Sequence, residues 1–478
     1  MGPLLDAFDR WRRDQPARPA LWSRGEGRRL DFAALDAEVE TWRRRLTAGA
    51  FDLGPHRPVA LALANRVAQP ALVLALWRLG VPVVSVDAAA PGVDRVALCR
   101  RLGVTRLLHV PRPVPMSSES EALPSTPLGD DIVLHAIDQH ADGSPLEPVR
   151  PPDGTVLVKL TSGSTGVPGG ACYDAASLHA GITQIAVGME IGDDDRVLIL
   201  LPLSHSYGFD NGVLSLVVVG TPLVLQPDCY PRQVLRAAAE SDATVVPLVP
   251  PLVRSLGGVA WPDHRLRRML CAGGMLHADA AASLHAAAGV PVHDFYGSSE
   301  TGGICFESAP DEAAAAGTVG RPLPGVDVSL DDEGRVVVDS AANRIAAWRE
   351  PARRDDRRVR TGDLGAFTPE GRLRLVGRSA DILNIGCRKV PAAHVERALR
   401  GLDGVREAAV VGVPDPMRGD RVVAFLVADR WPIDVRGLGT GLAPREVHRV
   451  DALPFTQRGK LDRAALRRRV AGVVDATV

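Results

Sequence analysis

Residues 160–170 read Leu-Thr-Ser-Gly-Ser-Thr-Gly-Val-Pro-Gly-Gly and directly follow the apolar run Val156–Val158. A strand that enters a loop of glycines and hydroxyl side chains exposes backbone N–H and side-chain O–H donors together, which suits phosphate oxygens. No lysine follows Gly166, Gly169 or Gly170, as a Walker loop would require, and the dinucleotide spacing G-x-G-x-x-G is absent from the stretch. The stretch therefore indicates either a phosphate loop of another class or a flexible surface loop.

Two more polar segments follow predicted strands and carry side chains that can do chemistry. Pro202–Asp210 contains His205, and Gly297–Gly303 contains Glu300 among small and hydroxyl residues. Ligands of open α/β sheets bind beyond the carboxyl ends of strands. A lone histidine is more often a structural hydrogen-bonding residue than a functional one. A carboxylate beside small residues can hold Mg²⁺ against phosphate oxygens, because hard cations prefer oxygen ligands.

Lysine is scarce, which draws attention to the few lysines present. Of the 56 basic residues only Lys159, Lys389 and Lys460 are lysine, so 56 − 3 = 53 are arginine. An ammonium group is a compact point charge that a planar guanidinium does not replace. Lys460 follows the turn residues 453–459, and the alternative for it is an ordinary exposed amine.

Composition limits the class of protein. The chain has 478 residues, which predicts two or three domains, and its net charge of −1 argues against nucleic acid as the main partner. No apolar run reaches a membrane-spanning length, and the N-terminus lacks the features of a signal peptide, so we expect a cytoplasmic protein. The six cysteines form no C-x-x-C pair, which indicates buried free thiols.

The elements that would position these side chains alternate between helix and strand. Apolar spacing predicts helices at 35–46, 67–79, 174–188, 231–241 and 278–288, with short apolar strands between them, as in a parallel sheet. Residues 111–130 are rich in Pro and Ser and are predicted to be an exposed loop. Short strands follow from 326, and a compact α+β unit follows from 381. In the segment 360–365, Asp363 is predicted to lie in a tight turn, either bonding its own backbone or accepting ribose hydroxyls.

Taken together, six motifs resemble those of the AMP-forming adenylating enzymes, a superfamily of acyl- and aryl-CoA ligases, peptide-synthetase adenylation domains and luciferases. In chain order they are TSGSTG, LPLSHSYG, YGSSET, RTGD, GRSAD…GCRKV and LPFTQRGK, between Thr161 and Lys460. The resemblance implies an α/β fold with a large multi-layer N-terminal domain over residues 1–380, which binds ATP and the carboxylate. It also implies a small α+β C-terminal domain over 381–478 that carries the catalytic lysine and rotates about a hinge at Asp381.

Matched position by position, the resemblance also implies a role for individual residues. The residues implied to contact the phosphates and adenine are Thr161, Ser162, Gly163, Ser164, Thr165, Gly166, Gly274, Asp294, Tyr296 and Ser299. Glu300 would bind Mg²⁺, and Asp363 and Arg378 would bind the ribose. The acid pocket would be lined by His205, Phe209, Asp210, Gly297 and Gly303. Gly386 and Arg388 match the loop that lines a pantetheine tunnel. Lys460, with His205 and Glu300, would be catalytic. An ammonium between the attacking carboxylate and the α-phosphate stabilises the charge that develops there.

The match has two departures. Gly169 stands where the superfamily usually has a lysine, and Asn384 stands where many relatives carry lysine. Our hypothesis is that Lys159 partly supplies the missing charge at the phosphate loop. Asp210 near the acid pocket is interpreted either as a helix N-cap or as a partner for a substrate amine, so an amino-acid substrate stays open.

The implied function is activation of an aryl, acyl or amino acid by ATP and Mg²⁺ to an acyl-adenylate with release of pyrophosphate. The acyl group would then pass to a thiol of CoA or of a carrier protein's phosphopantetheine. One alternative keeps the adenylation but uses an amine acceptor, or activates an unusual anion such as nitrite. Another alternative is an inactive nucleotide-binding regulator, against which stands the presence of Glu300, Asp363 and Lys460 together.

Overall fold

The computed structural model describes residues 1–49, 51–88, 92–111, 124–140, 142–161, 169–310, 318–351, 357–378, 381–385, 388–415, 419–435, 438, 443–455 and 461–474. The chain divides into two compact units. The first consists of 1–316, 320–327 and 338–359, and the second consists of 317–319, 328–337 and 360–478. The domain boundary predicted at residue 380 lies 380 − 360 = 20 residues beyond residue 360, where the longest segment of the second unit begins. The boundary stays a prediction.

The described α-helices are numbered along the chain, and six of them lie before residue 210. They are α1 (Gly2–Asp14), α2 (Phe32–Ala48), α3 (Ala68–Arg78), α4 (Gly92–Leu102), α5 (Ala175–Gly188) and α6 (Ser206–Phe209). A π-helix, Asp210–Val219, continues directly from α6. The remaining helices are α7 (Pro231–Ser241), α8 (Pro250–Gly257), α9 (Ala278–Ala288), α10 (Ala392–Arg400) and α11 (Arg463–Val474).

The strands of the first half are β1 (Pro19–Ser23), β2 (Arg28–Asp31), β3 (Val59–Ala62), β4 (Val83–Ser85), β5 (Arg106–His109), β6 (Ser125–Gly129), β7 (Ile132–Ala136), β8 (Leu157–Thr161), β9 (Gly169–Tyr173), β10 (Val197–Ile199), β11 (Leu223–Leu225) and β12 (Val245–Leu248). Those of the second half are β13 (Arg268–Cys271), β14 (Val292–Ser298), β15 (Gly302–Phe306), β16 (Arg321–Pro322), β17 (Val326–Leu330), β18 (Arg335–Ser340), β19 (Ala346–Ala347), β20 (Val359–Phe367), β21 (Leu373–Arg378), β22 (Ile382–Ile385), β23 (Arg388–Pro391), β24 (Val405–Asp415), β25 (Gly419–Ala428) and β26 (Glu446–Arg449).

Two large sheets build the first unit. Over the described residues, one has nine strands in the order β16-β15-β14-β13-β12-β10-β11-β1-β2, and the other has eight in the order β19-β9-β8-β4-β3-β5-β7-β6. The centres of both sheets are parallel: β10, β12, β13 and β14 in the first, and β3, β4, β5 and β8 in the second. Because parallel strands end at one edge, the loops that leave them collect there.

The core of the first unit follows from the apolar faces of these elements. Helix α3 is apolar on all sides and is buried from Ala68 to Trp77, as expected of a helix covered by neighbours all round. Its Trp77 donates a hydrogen bond from Nε1 to Val156 O at 3.0 Å, and Trp348 donates to Leu102 O at 3.0 Å. Six of the seven tryptophans lie in this unit, whereas Trp431 lies in the second unit and is 40% exposed.

A four-stranded sheet, β17-β18-β20-β21 in the described residues, holds most of its length in the second unit. The rest of that unit is an α+β sandwich around the sheet β23-β22-β25-β24, with β26 parallel to β25. Alternate residues of β24 face opposite sides: Ala408 and Val410 pack with Val395 and Leu399 of α10, whereas Ala409 and Val411 pack with Leu466 and Val470 of α11.

The predicted helices are confirmed, and three local predictions are wrong. Residues 125–129, assigned to a loop, pair with β7 as strand β6. The segment predicted as a loop up to Asp210 contains α6 and the first residue of the π-helix. Asp363 lies inside β20 rather than in a tight turn. Among the described helices none is both long enough and apolar enough to cross a membrane.

Candidate active site

Four predicted site residues of the first unit lie near or beyond the carboxyl ends of parallel strands. His205 follows β10, Gly274 follows β13, and Tyr296 lies near the end of β14 in the nine-stranded sheet. Thr161 ends β8 in the eight-stranded sheet. The topology therefore places these four residues at strand ends, where α/β proteins bind ligands.

The YGSSET motif forms a tight β-hairpin. Strand β14 pairs antiparallel with β15, with Ser298 opposite Gly302, and Ser298 Oγ lies 3.0 Å from Thr301 Oγ1. Gly302 has a φ of +72°, a left-handed conformation that favours glycine. A Cβ at Gly297 would lie 2.6 Å from Gly302 O, so the close strand approach also requires glycine there.

The LPLSHSYG loop is fixed by side chains from other elements. Asn65 donates from Nδ2 to Leu201 O at 2.9 Å and accepts at Oδ1 from Leu203 N at 2.9 Å. Ser85 Oγ donates to Ser204 O at 2.8 Å. These bonds satisfy backbone groups of the loop and hold its conformation before a ligand binds.

A hydrogen bond joins this loop to the hairpin. Ser206 Oγ donates to Ser299 Oγ at 2.9 Å, and Ser299 is the residue before Glu300. The loop that carries His205 and the turn that carries Glu300 are therefore in direct contact.

His205 lies beside a carboxylate that sequence reasoning missed. Its Nε2 lies 3.7 Å from Asp87 Oδ2, and within the described residues Nε2 has no hydrogen-bond partner. Asp87 follows β4, a parallel strand of the eight-stranded sheet. Its position after an apolar run at 81–86 is the signal that could have identified it.

Glu300 is suited to hold a cation. Its backbone N donates to Ser298 Oγ at 3.1 Å, and no hydrogen bond or ion pair to its carboxylate is found in the described part of the chain. The described residues contain no group of three or more His, Cys, Asp or Glu side chains that could hold a metal alone. A single free carboxylate fits Mg²⁺ that takes its other ligands from phosphate oxygens and water.

Asp294 is a perturbed carboxyl group in the first half of β14. Burial raises its pKa to about 7, and the nearby Glu307 acts in the same direction, whereas a hydrogen bond from the backbone N–H of Phe295 opposes the rise. Gly274 lies beyond β13, where a Cβ would approach Pro250 to 3.3 Å. Tyr296 is buried.

Lys159 and Asp210 form a buried ion pair. Lys159 Nζ donates to Asp210 Oδ1 at 2.7 Å and to Oδ2 at 2.8 Å, and it lies 4.6 Å from the centre of the Tyr173 ring. Burial raises the pKa of Asp210, and the hydrogen bonds from Lys159 oppose that rise. The Tyr173 hydroxyl donates to Ser299 O at 2.7 Å.

This pair corrects two of the sequence interpretations. Lys159 directs its ammonium to Asp210, so its contacts do not support the hypothesis that it supplies the missing charge of the phosphate loop. Asp210 is not a helix N-cap, because Phe209 caps the π-helix and the Asp210 carboxylate bonds Lys159. Sequence reasoning missed the pair because its members are 51 residues apart.

Two other predicted pocket residues are explained by packing. Phe209 is 1% exposed and meets Trp77 edge-on, with ring centroids 6.4 Å apart. A Cβ at Gly303 would lie 2.7 Å from Leu323 Cδ1 and 2.9 Å from Ile185 Cγ1. The structure therefore gives both residues a core contact, and their role in the acid pocket stays a prediction.

The predicted ribose and hinge residues lie in the second unit. Asp363 of β20 is directly opposite Arg378 of β21 in antiparallel register, and Asp363 is buried. Asp381 Oδ2 lies 3.0 Å from Arg463 Nε, so the predicted hinge residue contacts α11 of its own unit. The pairing of β20 with β21 keeps the two predicted ribose-binding residues adjacent.

Several predicted residues fall outside the part of the chain that the structure describes. They are Ser162, Gly163, Ser164, Thr165, Gly166, Gly386 and Lys460. For Arg378 and Arg388 the structure describes the backbone alone. Their roles stay predictions.

Comparison with known proteins agrees with this arrangement. Residues 8–343 match the family model "AMP-binding enzyme", and residues 394–460 match "AMP-binding enzyme C-terminal domain". A feruloyl-CoA synthase of Amycolatopsis sp is 28% identical, over 93% of this chain and 94% of that protein. Triostin synthetase I of Streptomyces triostinicus is 29% identical, over 92% of this chain and 90% of that protein.

Solved structures show the same architecture. The amide bond synthetase McbA from Marinactinospora thermotolerans superposes with a TM-score of 0.81 at 27% identity, over 98% of this chain and 100% of that one. The o-succinylbenzoate CoA synthetase MenE of Bacillus subtilis, with a bound acyl-adenylate, gives a TM-score of 0.80 at 23% identity, over 96% and 97%, and this likeness concerns the fold alone. The predicted α/β fold with a large and a smaller domain is confirmed. Because the first family model covers well over half of the chain, the protein belongs to the AMP-binding enzyme family and carries that family's C-terminal domain.

Proposed function

We propose that the protein activates a carboxylic acid with ATP, forming an acyl-adenylate and pyrophosphate, and then transfers the acyl group to the thiol of CoA. The predicted class, an AMP-forming ligase, agrees with the feruloyl-CoA synthase and with other CoA ligases among its relatives. ATP is the nucleotide substrate, and Mg²⁺ is the metal ion that neutralises its phosphate oxygens.

One observation carries the proposal within the first unit. The Ser206–Ser299 hydrogen bond holds the loop with His205 against the turn with Glu300. A carboxylate substrate beside His205 would then lie near nucleotide phosphates held by Glu300 through the cation. Such proximity is the main requirement for attack of a carboxylate on a phosphate.

Different residues of this chain would contribute to the first half-reaction, which is formation of the acyl-adenylate. Glu300 would hold Mg²⁺, and Thr161 begins the loop proposed to donate to phosphate oxygens. Lys460 would place an ammonium between the carboxylate and the α-phosphate, where negative charge develops in the transition state. A positioned donor of this kind typically accounts for about 10²–10³ in rate.

A second acceptor is favoured by one comparison. McbA, an amide bond synthetase, has 27% identity and matches 98% of this chain. An amine in place of the CoA thiol would attack the same acyl-adenylate, forming an amide and releasing AMP. A carrier-protein phosphopantetheine would be a third acceptor, whose thiol has the same chemistry as that of CoA.

The test is release of pyrophosphate with ATP and Mg²⁺ over a panel of aryl, acyl and amino acids. We expect release with one class of acid and a loss of at least about 10²-fold in Lys460→Ala. Wild-type protein that binds ATP but releases no pyrophosphate with any acid would contradict the proposal and favour a regulator.

Adding CoA or an amine to the productive reaction identifies the acceptor. Formation of an acyl-CoA, measured by mass spectrometry, supports the thiol transfer. Amide formation without acyl-CoA would assign the second candidate function instead.

A further inference from the structure

The Lys159–Asp210 pair is a buried charged contact of the first unit. Both carboxylate oxygens accept from Lys159 Nζ, at 2.7 and 2.8 Å, and the ammonium also faces the Tyr173 ring at 4.6 Å. The Lys159 side chain is 3% exposed and that of Asp210 is 10% exposed. The positive charge is therefore shielded from solvent, and what little surface remains accessible belongs mostly to the carboxylate.

The pair joins the strand that precedes the phosphate loop to the helix that follows the His205 loop. Lys159 is in β8, two residues before Thr161 and the phosphate loop. Asp210 begins the π-helix, five residues after His205 on the loop assigned to the acid. Tyr173, which contacts the ammonium, donates its hydroxyl to Ser299 O beside Glu300.

An unpaired carboxylate at this position would attract a cation strongly. A buried charge without a partner is costly, and a ligand ammonium is one of the groups that could neutralise it. Lys159 already supplies that ammonium from within the protein. The neutralised pair offers no net charge to a substrate.

We infer that Lys159 is a specificity-determining residue of the acid site, and that the activated acid carries no ammonium group. This inference rests on the proposed function and narrows its substrate class to aryl and acyl acids. It addresses the choice that the sequence left open, because Asp210, the residue interpreted as a partner for a substrate amine, is already paired with Lys159. Lys159 acts here through Asp210 rather than on the reacting atoms.

Two single variants should change selectivity in opposite directions. Lys159→Met keeps most of the side-chain volume, removes the ammonium and leaves the Asp210 carboxylate unpaired. Asp210→Asn removes the carboxylate and leaves the Lys159 ammonium unpaired. The double variant Lys159→Met/Asp210→Leu replaces the pair by apolar residues, which proteins often tolerate without loss of stability, and it shows whether removing both charges together restores the wild-type preference.

The measurement is kcat/KM for pyrophosphate release with matched acids. The acids are the best neutral acid of the panel, its β-amino derivative, and a derivative with a second carboxylate. We expect wild type and the double variant to prefer the neutral acid by at least about 100-fold. In Lys159→Met, the ratio of kcat/KM for the neutral acid to that for the amino derivative should fall by about tenfold or more. In Asp210→Asn, the ratio for the neutral acid to the dicarboxylate should fall by a similar factor. A single charge-assisted contact to the substrate has an effect of this size.

The outcomes separate this inference from the proposed function. Release of pyrophosphate with the neutral acid supports the proposed function, whatever the ratios of kcat/KM between the acids. Wild type that activates the amino derivative within tenfold of the neutral acid overturns the inference, as do folded, active single variants with unchanged ratios. If both single variants fail to fold, the wild-type ratio decides: a preference for the neutral acid over the amino derivative of more than tenfold supports the inference, and a smaller preference overturns it.

Discussion

At the scale of single residues, burial raises the pKa of carboxyl groups in the candidate site above the usual value for aspartate. Asp294 shows this most clearly, because its pKa is raised to about 7. A carboxyl group with a raised pKa in the folded state binds its proton more tightly there than in the unfolded chain. Its contribution favours the folded state at low pH and is lost as pH rises through about 7.

We therefore predict that Asp294→Asn makes the protein relatively more stable at pH 8 than at pH 5. Because the folded-state pKa is about 7, the expected difference between pH 5 and pH 8 is about 3 kcal/mol at the most. The measurement is the midpoint of thermal unfolding of both proteins without nucleotide at the two pH values. Equal differences between wild type and variant at pH 5 and pH 8 would show that Asp294 does not titrate in this range.

Residue identity alone does not reveal all of the contacts that build the site. The hydroxyl and glycine pattern of the YGSSET motif predicts a ligand loop, and the same residue types also form ordinary turns. The partner of Lys159 could not be predicted, since Asp210 is distant in sequence and the pairing depends on two elements packing. Asp87 beside His205 was missed for the same reason.

At the scale of elements, the loop after β10 depends on a close backbone contact. A Cβ added at Gly208 would lie 2.2 Å from Pro202 O, which is a backbone atom that cannot move aside cheaply. The loop that carries His205 must therefore change its path if residue 208 is any larger residue.

We predict that Gly208→Ala lowers kcat/KM for acid activation by about tenfold or more, because displacement of a positioning loop by an ångström has effects of that size. Gly258→Ala is the matched control, since a Cβ there meets nothing within 4 Å and its φ is −94°. Steady-state pyrophosphate release measures both variants. Equal activity in the two would mean that the loop accommodates the methyl group.

The sequence predicts the regular α-helices well, including the buried α3, but not the π-helix. Helix α2 is predicted at 35–46 and spans Phe32–Ala48, and Asp31 accepts from Ala34 N at its start. The π-helix Asp210–Val219 is not predicted, because its i→i+5 hydrogen bonds give a rare period that α-helical spacing does not match, and nine of its ten residues are buried. Asp363 was placed in a turn because glycine and aspartate favour turns, but pairing with β21 keeps it extended.

At the scale of the whole molecule, each unit has its own core and its own buried charges. In the second unit, Arg463 of α11 donates to Glu396 Oε2 of α10 at 3.2 Å and to Val410 O at 2.8 Å. Glu396 Oε1 also accepts from Val410 N at 2.9 Å. These bonds join both helices to β24.

We predict that Glu396→Ala destabilises the second unit by about 2 kcal/mol or more, because it leaves the buried Val410 N–H without its acceptor and leaves Asp381 as the remaining carboxylate partner of Arg463. Arg406→Ala is the control: its pair with Asp429 is exposed and is worth less than about 1 kcal/mol. Hydrogen exchange of β24 and α10 measures the effect. Similar protection in both variants would refute the role given to Glu396.

Because tryptophan is distributed unevenly, the unfolding of the two units can be distinguished by intrinsic fluorescence. Six of the seven indoles, including the buried Trp42 and Trp77, lie in the first unit, and Trp431 of the second is already 40% exposed. Intrinsic fluorescence during denaturation therefore follows the first unit almost alone, whereas circular dichroism follows both. Midpoints that differ between the two signals would measure the stabilities of the two units in one sample, without a label or a truncated chain.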